Sequence, residues 1–262
     1  MNLINNEVIY EVKDHVAYIT INRPERSNAI SEHVRESLIS YLSNANDDNE
    51  VWAVVLTGTG DRSFCAGADL KDMNEKAQKN KKLSTPMTGK LRNVYETMFE
   101  TYKPTIAVIN GAAVGGGAEL ALACDIRIAS EHAYLGFPEA KIGMGANFSS
   151  AYLPRLIPRA IALEKLYTGD TITAREAVEW GLFNKVVAKE DLVSTANEMV
   201  ERIVKNAPLT LRRYKHMTVK SNGMPLSQAI RLDVGPSPYL SEDRKEGIQA
   251  FVEKRAPKWK NK

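Results

Sequence analysis

Thr105-Ile106-Ala107-Val108-Ile109-Asn110-Gly111-Ala112-Ala113-Val114-Gly115-Gly116-Gly117-Ala118-Glu119-Leu120-Ala121-Leu122-Ala123-Cys124-Asp125-Ile126-Arg127-Ile128-Ala129 is the stretch that decides the fold class. Residues 105–109 form an apolar strand. A glycine-rich turn over 111–117 leads into an apolar helix over 118–124, and 125–129 returns to strand. Strands with no polar face belong to a parallel sheet covered on both sides, and strand–turn–helix–strand is the unit of an α/β fold.

Upstream, Val51-Trp52-Ala53-Val54-Val55-Leu56-Thr57 repeats the buried-strand pattern and stops at Gly58-Thr59-Gly60. Val34, Leu38, Ile39 and Leu42 predict a helix over 31–46 with Ser31 at its N-cap. Residues 8–22 read as a strand pair around Lys13-Asp14-His15. Residues 91–101 predict a helix, and the lysine-rich segment before it, with Lys71, Lys76, Lys79, Lys81, Lys82 and Lys90, predicts a solvated helix or loop. Downstream of Pro138 helices dominate, over 149–156, 160–167, 173–180 and 192–206, with Thr173 and Glu176 as a capping box and only 183–187 extended. The expected organisation is an α/β core over 1–190 that holds the active site and a helical region over 191–262.

The composition narrows the class. At 262 residues, with 44% hydrophobic and 26% charged, the chain can bury a full core and is not disordered. A net charge of +3, with no extended basic tract, gives no reason to expect nucleic acid as a partner. No run of about 18 apolar residues predicts a membrane span. The first residues, Met1-Asn2-Leu3-Ile4-Asn5-Asn6-Glu7, lack the pattern of a secretory or transit signal. Two cysteines, Cys65 and Cys124, are too few for a disulfide framework, so a cytoplasmic setting is expected.

Three segments carry candidate chemistry: Ser63 to Leu70, Asn110 to Leu120, and Phe137-Pro138-Glu139. Two are small-residue turns between a strand and a helix, where backbone N–H groups lack partners and suit an anion or oxyanion. Two such turns in one core can aim two donors at one oxygen. Glu119 is the one polar side chain of its helix, and a carboxylate buried there needs partners or a raised pKa. His15, His33, His132 and His216 share no ligand spacing, so no metal site is expected. Cys65 reads as a packing residue, Asp69 as a helix cap, and Asp125 as structural.

With these residues in place, the chain resembles the crotonase (enoyl-CoA hydratase/isomerase) superfamily along its whole length. Ala66-Gly67-Ala68-Asp69-Leu70 and Gly115-Gly116-Gly117-Ala118-Glu119-Leu120-Ala121 look like its two signatures, and Pro138-Glu139 lies where its two-glutamate hydratases carry a second glutamate. The resemblance implies a spiral of repeated ββα units with a C-terminal helical trimerisation region, assembled as a homotrimer or homohexamer. It implies an oxyanion hole from the N–H groups of Ala68 and Gly116, with Glu119 activating water and Glu139 protonating C2. It implies an acyl-CoA thioester as substrate, touched by Ala66, Ala68, Asp69, Leu70, Lys71 and Gly116, and no separate cofactor. Lysines near Lys71, with Arg23, Arg26 and Lys254, suit the phosphates of coenzyme A.

Residues 143–154 depart from the family pattern. The position that usually offers an N–H to water falls on Ala146 or Asn147, and Phe148 brings bulk where small residues are usual. A larger, branched, cyclic or aromatic acyl group is the expectation from this departure. The glutamate pair favours hydration over double-bond isomerisation, which needs one carboxylate. Thioester hydrolysis and a non-catalytic binding relative are the remaining alternatives.

Overall fold

The computed structural model describes residues 6–79 and 91–262. The expectations for the first five residues and for Lys81, Lys82 and Lys90 lie outside them. The chain opens on an antiparallel hairpin, β1 (Val8–Lys13) and β2 (Val16–Ile21), joined through Asp14 and His15 at φ 48° and 64°. Helix α1 (Glu32–Asp47) starts at Ser31, whose side chain accepts from the Val34 N–H. Three rounds of two strands then follow: β3 (Ala53–Gly58) with β4 (Ser63–Cys65), β5 (Thr105–Ile109) with β6 (Ala112–Val114), and β7 (Ile126–Ser130) with β8 (Tyr134–Gly136). The first round leads into α2 (Leu70–Gln78), with α3 (Val94–Phe99) after it, and the second into α4 (Gly116–Ala123). The third leads through a 3₁₀ turn, Pro138–Ile142, into α5 (Asn147–Leu156) and α6 (Arg159–Thr168). β9 (Ile172–Thr173), α7 (Ala174–Glu179), β10 (Lys185–Val187) and α8 (Leu192–Val204) close the core. α9 (Pro208–Lys220), α10 (Leu226–Ala229) and α11 (Glu242–Glu253) lie beyond it in sequence.

Each round lays one strand in each of two sheets. The larger runs β1-β2-β3-β5-β7-β10 and the smaller β4-β6-β8-β9. This is the ββα spiral that the resemblance implied. The second sheet was not legible in the sequence. β4, β6 and β8 are three residues each, and Ala112-Ala113-Val114 sits between glycines, where it reads as turn.

The larger sheet is buried on both faces, as its apolar strands require. Along β3, Val54 and Leu56 face a core shared with the smaller sheet, α1 and α4, while Ala53 and Val55 face Leu192, Ala196 and Val200 of α8. Helix α8 therefore belongs to the core, and the expected boundary at 190/191 falls just before it. Large exposed apolar side chains cluster later: Leu226, Ile230, Tyr239, Leu240, Phe251 and Val252 are all at least 70% exposed.

Buried cations finish two helices. Lys103 donates to the carbonyls of Ala45 and Asp48 at the end of α1. Arg127 donates to the carbonyls of Cys124 (2.6 Å), Ala121 and Leu122 at the end of α4, and to that of Leu182. Asp125 is structural as expected: it pairs with Lys215 of α9 at 2.8 Å and accepts from Thr105. Arg127→Met strands those carbonyls in an apolar setting and is expected to cost about 3 kcal/mol. A Tm lowered by roughly 6–10 °C in thermal unfolding is the corresponding readout.

Candidate active site

The Ala66–Asp69 loop is held from one side by the turn after β2. Ala66 N–H donates to Ser27 O (3.0 Å), Ile30 N–H to Gly67 O (2.7 Å), and Asp69 N–H to Ile30 O (3.2 Å). This bridge uses the groups of residues 67 and 69, so the alternation of extended backbone turns Ala68 the other way. Among the described residues the Ala68 N–H meets no acceptor. Gly67 has φ +81°, and a Cβ there lies 2.6 Å from Val114 O and 2.9 Å from Gly116 N, so the two small-residue turns touch at this point. Gly116 is the first residue of α4, and its N–H also has no acceptor among the described residues. Two unpaired donors thus stand side by side.

Helix α4 starts two residues earlier than its apolar run suggested. Gly117 explains why: a Cβ there lies 2.0 Å from the Cys65 carbonyl oxygen, so the first turn lies directly on β4. The contact fixes the height of the Gly116 N–H and of Glu119, one turn on. Cys65 itself is fully buried, and burial pushes its thiol up to about 12, which suits packing and not nucleophilic attack.

Glu119 and Glu139 line one cavity of about 110 Å³, together with Ala66, Ala68, Leu70 and Gly116. Glu119 is 6% exposed, and its Oε1 accepts from the Ser149 N–H at 2.9 Å. Burial, and behind it the charge of Glu139, pushes its carboxyl up to about 7 against the opposing pull of that N–H. Glu139 sits in the 3₁₀ turn after β8, where burial also raises its carboxyl. Its Oε2 is buried without a hydrogen-bond partner, while Oε1 faces Gly115. The Ser149 N–H favours the ionised form of Glu119, while Glu139 has only its own backbone N–H to oppose the effect of burial.

Asp69 and Lys71 do not line this cavity. The Asp69 carboxylate is 6% exposed, accepts from Asp72 N–H as the α2 cap, and pairs with Arg23 at 3.0 Å. Despite burial, those partners hold it below the usual range. The Asp69 carboxylate thus anchors the loop, and the Arg23 guanidinium is engaged by Asp69 and Glu7. Lys71 is exposed with no ion-pair partner among the described residues, and Lys254 is exposed as the αL C-cap of α11.

The departure at residues 143–154 has a different outcome from the expected one. Phe148 is 8% exposed and packs on Tyr95, Phe99 and Tyr152, behind the cavity and not in it. It does not enlarge the acyl space; Asn147 and Met144 line the cavity instead. Within this segment the Ser149 N–H donates to Glu119 Oε1. Tyr95 was missed altogether: it lines the cavity from α3 but belongs to no motif. A larger cavity, of about 630 Å³, opens beside the Asp125–Lys215 pair; Phe99 and Tyr152 line it, but neither glutamate nor Ala68, Gly116 or Tyr95 does.

Two apposed strand-to-helix turns, a pair of carboxyls and a ββα spiral define a class of protein. The chain belongs to the enoyl-CoA hydratase/isomerase family, whose model matches residues 11–262. Among its relatives, the (E)-benzylidenesuccinyl-CoA hydratase of Thauera aromatica is 40% identical over 261 residues, 95% of this chain and 97% of the relative. The short-chain-enoyl-CoA hydratase of Clostridium acetobutylicum is 37% identical, covering 95% and 96%. Among solved structures, an enoyl-CoA hydratase from Mycobacterium tuberculosis superposes with a TM-score of 0.86 at 33% identity, covering 98% and 99%. Among the described residues no helix is long and apolar enough to cross a membrane.

Proposed function

We propose that this protein is an enoyl-CoA hydratase that adds water across the C2=C3 bond of a 2-enoyl-CoA, with Ala68, Gly116, Glu119 and Glu139 as its working groups. The observation that carries the reading is the convergence of two unpaired N–H groups and two carboxyls on one small cavity. As water attacks C3, the π electrons move onto the thioester oxygen, where two fixed donors stabilise the developing charge by several kcal/mol. Glu119, ionised and held by Ser149, takes the proton from water. Glu139, favoured as the acid, gives its proton to C2. The product is a 3-hydroxyacyl-CoA, and exchange with solvent resets the pair. The cavity volume suits a short acyl group, and coenzyme A is part of the substrate, so the reaction needs no separate cofactor.

The exposed apolar side chains of residues 226–252 suit contacts with further copies of the chain, so a homotrimer or homohexamer belongs to this reading. Free, buried thiols at Cys65 and Cys124 suit a reducing cytoplasm.

The deciding experiment supplies crotonyl-CoA and follows loss of the conjugated thioester absorbance together with formation of 3-hydroxybutyryl-CoA. Hydration supports the proposal. Conjugation of a 3-enoyl-CoA with no hydration of any 2-enoyl-CoA overturns it in favour of an isomerase.

The pH dependence follows from the pair. Activity needs one carboxyl ionised and one protonated, so the kcat/KM profile is expected to be bell-shaped. One of its limbs is expected near pH 7, where Glu119 is pushed, and not near 4.5, where an ordinary glutamate titrates. Removing the neighbouring charge with Glu139→Gln is expected to move the Glu119 titration to lower pH, as followed by carbon-13 NMR of labelled glutamate.

A further inference from the structure

Tyr95 projects from the first turn of α3, and its hydroxyl is aimed at the start of α4. A Cβ at Gly116 lies 2.4 Å from the Tyr95 oxygen, so the phenol occupies the space that any side chain at position 116 needs. The ring is fixed from behind by Phe148, with centroids 6.0 Å apart, and α3 is fixed by a capping box between Asn93 and Glu96. The hydroxyl is therefore placed by structure on both sides. Yet among the described residues the hydroxyl makes no hydrogen bond; the Tyr95 bond to Asn93 is that of its backbone N–H. Burial, then the charge of Glu119, raises its pKa, so it stays a neutral donor at all working pH values.

The side chain is half-buried, and a hydroxyl left open towards a cavity is completed by whatever enters the site. It borders the same cavity as the Ala68 and Gly116 N–H groups, and the group it overhangs is Gly116. We propose that the Tyr95 hydroxyl is a third hydrogen-bond donor to the thioester oxygen of the bound substrate, beside the N–H groups of Ala68 and Gly116. The inference rests on the proposed hydratase reading of this cavity. It gives position 116 a reason to be glycine, since a side chain there displaces the donor.

The test separates this role from the reading it rests on. Tyr95→Phe keeps the ring against Phe148 and removes only the oxygen. Hydration of crotonyl-CoA by the parent protein reports on the reading itself; the variant reports on Tyr95. The expected result is a fall in kcat of roughly 10-fold or more with KM changed by less than about 3-fold, as for an interaction that strengthens in the transition state. Binding of cinnamoyl-CoA supplies a readout that a structural role does not move. Donors at the carbonyl polarise the conjugated system and shift its absorbance to the red, so the shift is expected to be smaller in Tyr95→Phe at saturation. Since the oxygen has no protein partner, the variant is expected to have a Tm no lower than the parent.

Three results overturn the proposal. One is a full red shift with full kcat. Another is a drop in Tm of several degrees, which makes the hydroxyl structural. The third is an unchanged red shift with a displaced pH profile, which assigns the hydroxyl to Glu119 and not to the substrate.

Discussion

Glu119→Gln is expected to lower kcat for crotonyl-CoA by ~10²–10⁴-fold while leaving affinity for the coenzyme A product nearly unchanged. The amide oxygen still accepts from the Ser149 N–H, so the site keeps its shape, but it takes no proton from water. The same substitution is expected to make the protein more stable at neutral pH. In the unfolded chain the carboxyl titrates near 4.5, and in the folded chain burial and Glu139 push it up to about 7. The native state therefore binds more protons between those values, and stability falls as pH rises through that window. Above it the full cost of holding a buried charge is present, about 3.4 kcal/mol, of which about 2.5 kcal/mol develops between pH 5 and pH 8. Urea unfolding of parent and variant at pH 5 and pH 8 measures it. The advantage of the variant should grow by that amount between the two pH values, and a constant difference would mean that Glu119 folds with an ordinary pKa.

Gly117→Ala has the second large effect. Its Cβ is placed 2.0 Å from the Cys65 oxygen and 2.7 Å from the Cys65 carbonyl carbon, both backbone atoms of a buried strand. Neither can rotate away, so the first turn of α4 must rise off β4. Overpacking of this kind costs about 3 kcal/mol. The rise also carries the Gly116 N–H and Glu119 out of line, and a misplacement of about 1 Å is worth roughly 10² in kcat. Gly136→Ala is the control: its Cβ meets Val114 and Thr171 at 3.7–3.8 Å, ordinary contact, so stability should change by less than about 1 kcal/mol. Equal losses in the two variants would remove the close approach as the cause.

Much of this site was readable from residues, for definite reasons. The strands at 53–58 and 105–109 announce themselves because both faces are buried, so no charged residue interrupts them. Glu119 stands out because its helix has no other polar side chain. What was not readable depends on contacts between distant segments. The smaller sheet is made of strands too short to carry a period. Asp69 looks like a ligand contact in its motif, and only the fold shows Arg23 and Asp72 using both its oxygens. Phe148 looks like pocket bulk until α5 turns it towards Phe99 and Tyr152. Tyr95 carries no local signal at all; its meaning comes from lying over a glycine 21 residues further along the chain.

The spiral also sets when the site comes into being. Ala68 follows the first round of strands, Gly116 and Glu119 the second, and Glu139 the third, so successive rounds supply successive parts of the proposed site. β3 pairs with β5, and β5 with β7, across separations of tens of residues, which makes nucleation slow and the contact order high. On the proposed roles, a nascent chain that has left the ribosome as far as α2 holds a donor with no base, and one that has reached α4 holds a base with no acid. Catalysis is thus a late event in folding, and regain of turnover after dilution from denaturant should trail recovery of helix and sheet. An intermediate that traps the third round out of register would carry most of the native secondary structure and none of the chemistry.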